Sequence, residues 1–331
     1  MLGWTATFVK SQLFTTVPYP TSDFSGQTII VTGSNTGLGF EASKHVVRLG
    51  AAKVILAVRT VSKGDKAAQD IVEACNVPNS TVEVWQLDMS KRDSIIAFAK
   101  RANELQRLDA AILNAGILTR KWATYDGVES HIAVNVVGTM LLSTLLLPKM
   151  RQCAKQTGLR GRLTIVGSDL MYIATLKELE AEGKIMEKLN DPAESNIGNR
   201  YGLSKALVFY SLRELAARSP LTTDSNVIVS VLTPGACKTD IFRDEASAGG
   251  KLAMAAGLAV FARTTEVGSR TLVHGIDSDL PMEAHGRFLM DCKLAQNGTI
   301  VESAQGQDLA QKWNKELFHL LEDIVPGCTR L

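Results

Sequence analysis

The chain has 331 residues, 45% of them hydrophobic and 21% charged, with a formal net charge of +2, which is ordinary globular composition with ample material for a core. The length allows about two domains; a charge so small and unblocked leaves no footprint for nucleic acid, and no apolar run approaches the roughly 18 residues of a membrane span. Five scattered cysteines, at 75, 153, 237, 292 and 328, without a C-x-x-C pair, suggest neither a disulfide framework nor a metal site, so a reducing, cytoplasmic setting is expected.

Residues 1–25 read as an N-terminal arm. Trp4, Phe8, Leu13 and Phe14 lie there without a basic start or a sustained apolar core, so this is no secretory signal. Two readings stand: an ordered arm packed on the domain, or a weak peripheral contact with a membrane surface.

The organising stretch is T-G-S-N-T-G-L-G at 32–39, entered from the apolar run 28–31 and left through an amphipathic segment ending near Leu49. Strand, tight turn and helix are expected. Glycines at 33, 37 and 39 let the backbone approach a ligand, and the helix that begins there turns free N–H groups toward an anion, naturally a dinucleotide pyrophosphate. Candidate cofactor contacts are Gly33, Asn35, Thr36, Gly37, Leu38 and Gly39.

Residues 53–58 read as a buried parallel strand. Where an NAD site carries an acidic residue, this chain has Arg59 with Lys63 close behind, so a guanidinium stands ready for a 2′-phosphate and NADP is favoured over NAD. A helix at 63–74 and a third strand at 81–87 deliver Asp88 to the sheet's carboxyl edge. Ser90 is expected to cap the next helix, to about Gln106, and a fourth strand at 109–113 ends in Asn114-Ala115-Gly116. The alternation of strand and helix predicts an α/β fold, a single doubly wound parallel sheet of Rossmann type.

A long apolar helix is expected from about Gly127 to Cys153, with Asn135 in its middle needing a partner. A fifth strand at 162–167 places Ser168 at its end. The polar stretch 172–200 reads as a lid insertion. Tyr201 then opens a helix, and Lys205 shares its face at i, i+4, where a cation would favour the phenolate. A sixth strand at 226–232 ends in Thr233-Pro234-Gly235, with Thr239 beyond. The apolar stretch 252–262 suits a pocket wall or a core helix. A helix at 270–276, a final strand at 286–290 and an amphipathic helix at 308–324 complete the domain, 26–331.

Taken in order, the glycine turn, Asp88, Asn114-Ala115-Gly116, Asn135, Ser168, Tyr201 with Lys205, and Pro234-Gly235 with Thr239 resemble the short-chain dehydrogenase/reductase family over about residues 25–290. Arg59 after the second strand, the segment Tyr201-Gly202-Leu203-Ser204-Lys205 and Arg263-Thr264-Thr265-Glu266 are similar to the retinol dehydrogenase and WW-domain oxidoreductase branch. The entry Val31-Thr32-Gly33 and the segment ending in Val58-Arg59 are similar to reductases of fungal secondary metabolism.

The resemblance implies a catalytic set of Asn135, Ser168, Tyr201 and Lys205, and extends the cofactor contacts beyond the glycine turn to Arg59, Lys63, Asp88, Asn114, Ala115, Gly116, Tyr201, Lys205, Pro234, Gly235 and Thr239. Tyr201 is the general acid, Lys205 lowers its pKa and holds the nicotinamide ribose, Ser168 holds the carbonyl and Asn135 anchors a relay water. The expected activity is NADP(H)-dependent reduction of a carbonyl, or oxidation of an alcohol, on a sizeable apolar substrate. The alternatives are an isomerase, epimerase or cyclisation catalyst on the same fold, or a non-catalytic NADP-binding regulator. Family analogy implies a monomer or a homodimer.

Overall fold

The computed structural model describes residues 2–180, 183–223, 226–239, 241 and 261–331. Most of the apolar stretch 252–262 therefore lies outside the described residues.

The main sheet begins with β1 (Thr28–Thr32), β2 (Lys53–Val58), β3 (Val82–Gln86) and β4 (Ala110–Leu113). It continues through β7 (Gly161–Val166), β8 (Val227–Thr233), β9 (Phe288–Met290) and β10 (Lys293–Leu294). The spatial order is β3-β2-β1-β4-β7-β8-β9-β10, parallel throughout except for β10, which pairs antiparallel with β9. The expected final strand is thus followed by one more, reached through a tight turn in which Asp291 and Cys292 both take positive φ. Strand order reverses between β1 and β4, the switch point at which α/β sheets leave a crevice.

Alternate residues of each strand feed opposite layers. Ile29 and Val31 of β1 pack with Val46 and Val47 of α2 (Gly37–Arg48), Ile71 of α3 (Val61–Cys75) and Leu272 of the helix Thr265–His274. Ile30 faces the other layer. There Phe98 of α4 (Arg92–Asn103) and Leu146 of α5 (Thr139–Thr157) meet α6 (Ile185–Leu189) and α7 (Ile197–Arg218). The helix Thr265–His274 is α8, Thr299–Glu302 is α9 and Ala304–Ile324 is α10, whose Trp313 is fully buried in this second layer. Burying each such large side chain contributes about 1.5–3 kcal/mol, which makes the two layers the main source of stability.

The arm contains a helix, α1 (Leu2–Phe14), packed on the domain. Trp4 stacks on Phe8 at 5.2 Å between ring centroids, and Phe8 meets Phe261 at 6.1 Å. Buried Arg263 donates to the Ser11 carbonyl at 2.7 Å and to Asp291 at 2.6 Å.

Three local expectations are corrected. Residues 127–129 do not start the long helix: β5 (Thr124–Tyr125) and β6 (Val128–Glu129) form a hairpin, because Asp126 and Gly127 both sit at positive φ. The helix behind it opens in π-helical turns over Ile132–Gly138 before α5. Ser90 does not cap α4; its hydroxyl donates to Asp88 at 2.7 Å, and the cap position is Lys91. Helix α7 starts at Ile197, ahead of Tyr201, because the Asn196 side chain accepts the Asn199 N–H. Contrary to the reading of hydropathy above, Ile132–Thr157 is long and apolar enough to cross a membrane by length and composition, yet 83% of its apolar 18-residue window is buried inside the protein.

Candidate active site

The carboxyl ends of β1, β2 and β4 surround the glycine turn. Gly33 and Gly37 have φ of 64° and 61°, in the left-handed region that favours glycine. At Gly39 an added Cβ would lie 2.6 Å from the Asn114 amide and from the Gly33 carbonyl. Asn114 donates to the carbonyls of Thr32 and Gly33 at 3.0 and 3.2 Å, and Ala115 N–H donates to the Thr32 hydroxyl at 2.9 Å. Asn114 and Ala115 therefore lock the turn from behind, while among the described residues the nearest atom to a Cβ added at Gly37 is the Thr239 methyl at 4.0 Å.

That open space belongs to a cleft of about 710 Å³ lined by Gly33, Asn35, Thr36, Gly37, Leu38, Arg59 and Asn114 through Thr119, with Lys121, Lys238 and Thr239. Among the described lining residues there are three cations, Arg59, Lys121 and Lys238, and no carboxylate. Leu118, Thr119, Lys121 and Lys238 were not anticipated. Leu118 and Thr119 follow Asn114-Ala115-Gly116 within three residues and Lys238 adjoins Thr239, so their proximity to recognised motifs was the available signal.

Other expected contacts stand apart from this lining. Exposed Lys63 lies on α3. Asp88 accepts from the N–H and hydroxyl of Ser90. The Pro234 carbonyl accepts from Arg263, and Gly235, at φ 74°, abuts Gln12 of α1.

A second cavity, of about 260 Å³, shares the lining residues Leu118 and Thr119 with the cleft. Its walls include Leu170, Ile173, Ala174 and Ile197, with Tyr201 among them. The stretch 172–200 thus contributes Ile173, Ala174 and Ile197–Asn199 to a cavity wall, and none of its described residues joins the sheet.

The Lys205 ammonium lies 5.6 Å from the centre of the Tyr201 ring. Lys205 is buried at 5% exposure, donates to the Val166 carbonyl at 2.7 Å, and is pushed down to about 8 by burial. Burial and the neighbouring Asp169 charge push the Tyr201 phenol up, against a hydrogen bond with Ser168 that favours the phenolate. Asp169 is itself buried, which raises its carboxyl to about 6. Ser168 sits where β7 ends, accepting the Leu170 N–H at 3.2 Å.

Asn135 finds the partners its burial requires. Its oxygen accepts the Ile117 N–H at 2.8 Å, and its amide donates to the Ile117 carbonyl and the Ser204 hydroxyl, both at 3.0 Å. Both donors are used, and one oxygen lone pair remains. Asn135 therefore ties the loop after β4 to α7.

A glycine-cornered turn at the switch point of a parallel sheet, beside a helix carrying a tyrosine and a buried lysine one turn apart, defines a dinucleotide-binding α/β protein. The comparisons are narrower. The family model for short chain dehydrogenase matches residues 27–170. The short chain dehydrogenase/reductase dmxR8 of a Cryptosporiopsis species is 40% identical over 97% of this chain and 98% of its own. The short chain dehydrogenase atnD of Emericella nidulans is 40% identical over 86% and 90%. Among solved structures, 3-oxoacyl (acyl-carrier-protein) reductase from Agrobacterium tumefaciens with NADP bound superposes at a TM-score of 0.59, with 20% identity, over 81% of this chain and 93% of that one. The protein belongs to the short-chain dehydrogenase/reductase family and is an oxidoreductase.

Proposed function

We propose that this oxidoreductase uses NADP(H) to interconvert a carbonyl and an alcohol on a sizeable apolar compound of secondary metabolism. The observation that carries the reading is the placing of two cavities side by side, with Leu118 and Thr119 lining both. A cleft with three cations and no carboxylate on its described lining suits a polyanion; the smaller cavity beside Tyr201, mainly apolar with Arg120 and Asn199 among its lining, suits an apolar carbonyl compound with a polar group. The NADP bound in the Agrobacterium reductase supports the choice of cofactor.

The residues fit that cofactor: the space above Gly37 is a cradle that the side chains of the described residues leave open. Gly33 to Gly39 and the start of α2 would hold the pyrophosphate, Arg59 the 2′-phosphate, and Asn114 to Gly116 with Thr239 the remainder. Reduced nicotinamide supplies the hydride when bound. Tyr201, whose raised pKa keeps it protonated at neutral pH, donates its phenolic proton to the carbonyl oxygen. Ser168 holds that oxygen, and the positive charge of Lys205 stabilises the phenolate left behind. Asn135 fixes the loop at Ile117 and has one lone pair for a relay water.

The test is loss of reduced-nicotinamide absorbance with NADPH and, separately, NADH across a panel of apolar ketones and aldehydes. Turnover with NADPH is expected to fall about 100-fold or more in Tyr201→Phe while NADPH binding persists. Full turnover by that variant would overturn the mechanism.

A further inference from the structure

Directly before Tyr201, on the same helix, stands Arg200, an arginine with no exposed surface. It donates to the Leu189 carbonyl at 2.6 Å, to the Ser195 hydroxyl at 3.1 Å and to Glu178, all in the segment 173–196 whose start walls the small cavity. On its other side it reaches Glu129, equally buried, at 3.5 Å. Glu129 accepts the backbone N–H groups of His131 and Ile132 at 3.1 and 3.2 Å, as a cap on the helix start, and the Nδ1 of His131 lies 2.9 Å from it.

His131 completes the chain. Thr119 N–H donates to its Nε2 at 3.2 Å, so Nε2 carries no proton and Nδ1 donates to Glu129. Thr119 lines both cavities. Glu178, Arg200, Glu129, His131 and Thr119 therefore form one continuous line of charges and hydrogen bonds from the 173–196 segment to the wall the two cavities share. A buried ion pair contributes little stability beyond what apolar side chains of the same volume supply, but it fixes geometry tightly.

We propose that His131 is a positioning residue for the shared wall at Thr119, and that Glu129 and Arg200 make its hold depend on the 173–196 segment. The proposal rests on the NADP(H) reading of the cleft. Ordering of the segment over substrate and ordering of the cofactor wall become one event, so that each ligand strengthens the other's site.

The experiment measures NADPH affinity by fluorescence titration of the full chain. His131→Asn keeps a donor for Glu129 but has no acceptor for Thr119, whereas His131→Gln keeps an acceptor near the place of Nε2. About tenfold weaker binding in His131→Asn is expected, with His131→Gln within about twofold of the parent. A role in folding alone would lower the melting temperature of both and leave the affinity of the folded protein unchanged. Equal affinities in all three proteins, or equal loss in both variants, would overturn the proposal. Glu178→Ala tests the far end and also serves if His131→Asn does not fold. Glu178 lies on neither cavity's described lining, yet its loss is expected to weaken NADPH several-fold, and unchanged affinity would refute the coupling. Failure of the parent protein to bind NADPH would instead refute the reading of the cleft.

Discussion

Lys205 carries an energetic cost that its proposed chemistry requires. Burial lowers its pKa from 10.5 to about 8, so at neutral pH the folded state holds a charge it disfavours by about 3 kcal/mol. Because the pKa is depressed in the fold, that penalty is complete below about pH 8 and fades as pH rises toward the unfolded value. Lys205→Met is therefore expected to raise the melting temperature at neutral pH. The gain is about 1–2 kcal/mol once the abandoned Val166 carbonyl is counted, and turnover is abolished. A scan showing the variant less stable than the parent would refute this. Asp169 behaves in the opposite sense. Its pKa rises from 3.8 to about 6, so its neutral form suits the fold; its contribution is complete below about pH 4 and lost as pH climbs past 6. Asp169→Asn should exceed the parent by about 1 kcal/mol near pH 4.5 and by about 3 kcal/mol near pH 8. Parallel curves across that range would show that Asp169 is solvated.

Among elements, α1 is expected to act on a site it does not line. Arg263 holds the Ser11 carbonyl with one hand of its guanidinium and the Pro234 carbonyl with the other, while its backbone pairs with Ala236 and Lys238. Removing residues 1–14 leaves this buried arginine short of a partner beside the loop that ends in Lys238 and Thr239. Several-fold weaker NADPH binding with a lower melting temperature is the expected result; binding unchanged by the truncation would show that the loop holds itself. What could be read in advance at this scale followed from local chemistry. The strand, glycine turn and helix at 28–48 are one uninterrupted pattern, and Tyr201 and Lys205 are four residues apart on one helix. The hairpin at 124–129 was misread because the apolar positions from Val128 onward continue smoothly into the helix, and they outweighed the turn-forming pair Asp126-Gly127. The line from Glu178 to Thr119 was illegible for a different reason. Glu178, Arg200 and the pair Glu129 and His131 come from separate segments and each alone looks like a surface charge, and Thr119 joins them only through its backbone N–H.

At the scale of the molecule, the parallel order of the sheet means that most stabilising contacts join residues far apart in the chain. Alternation of strand and helix was enough to predict a doubly wound parallel sheet, though not the antiparallel strand β10 at its edge. The same reading expected a long apolar helix but took no run to reach the length of a membrane span, whereas Ile132–Thr157 is as apolar as one because the helix is buried on several sides. The consequence lies in time. A ribosome adds about 5–20 residues per second, so α5 emerges several seconds before α7, against which it packs. During that interval a greasy rod hangs from a half-made chain. A fragment ending near residue 190 is expected to aggregate or to be held by chaperones while the whole chain is soluble. A soluble, cooperatively melting fragment would refute this. The helix that anchors the finished enzyme is thus, while it is being made, the part of the chain most in need of protection.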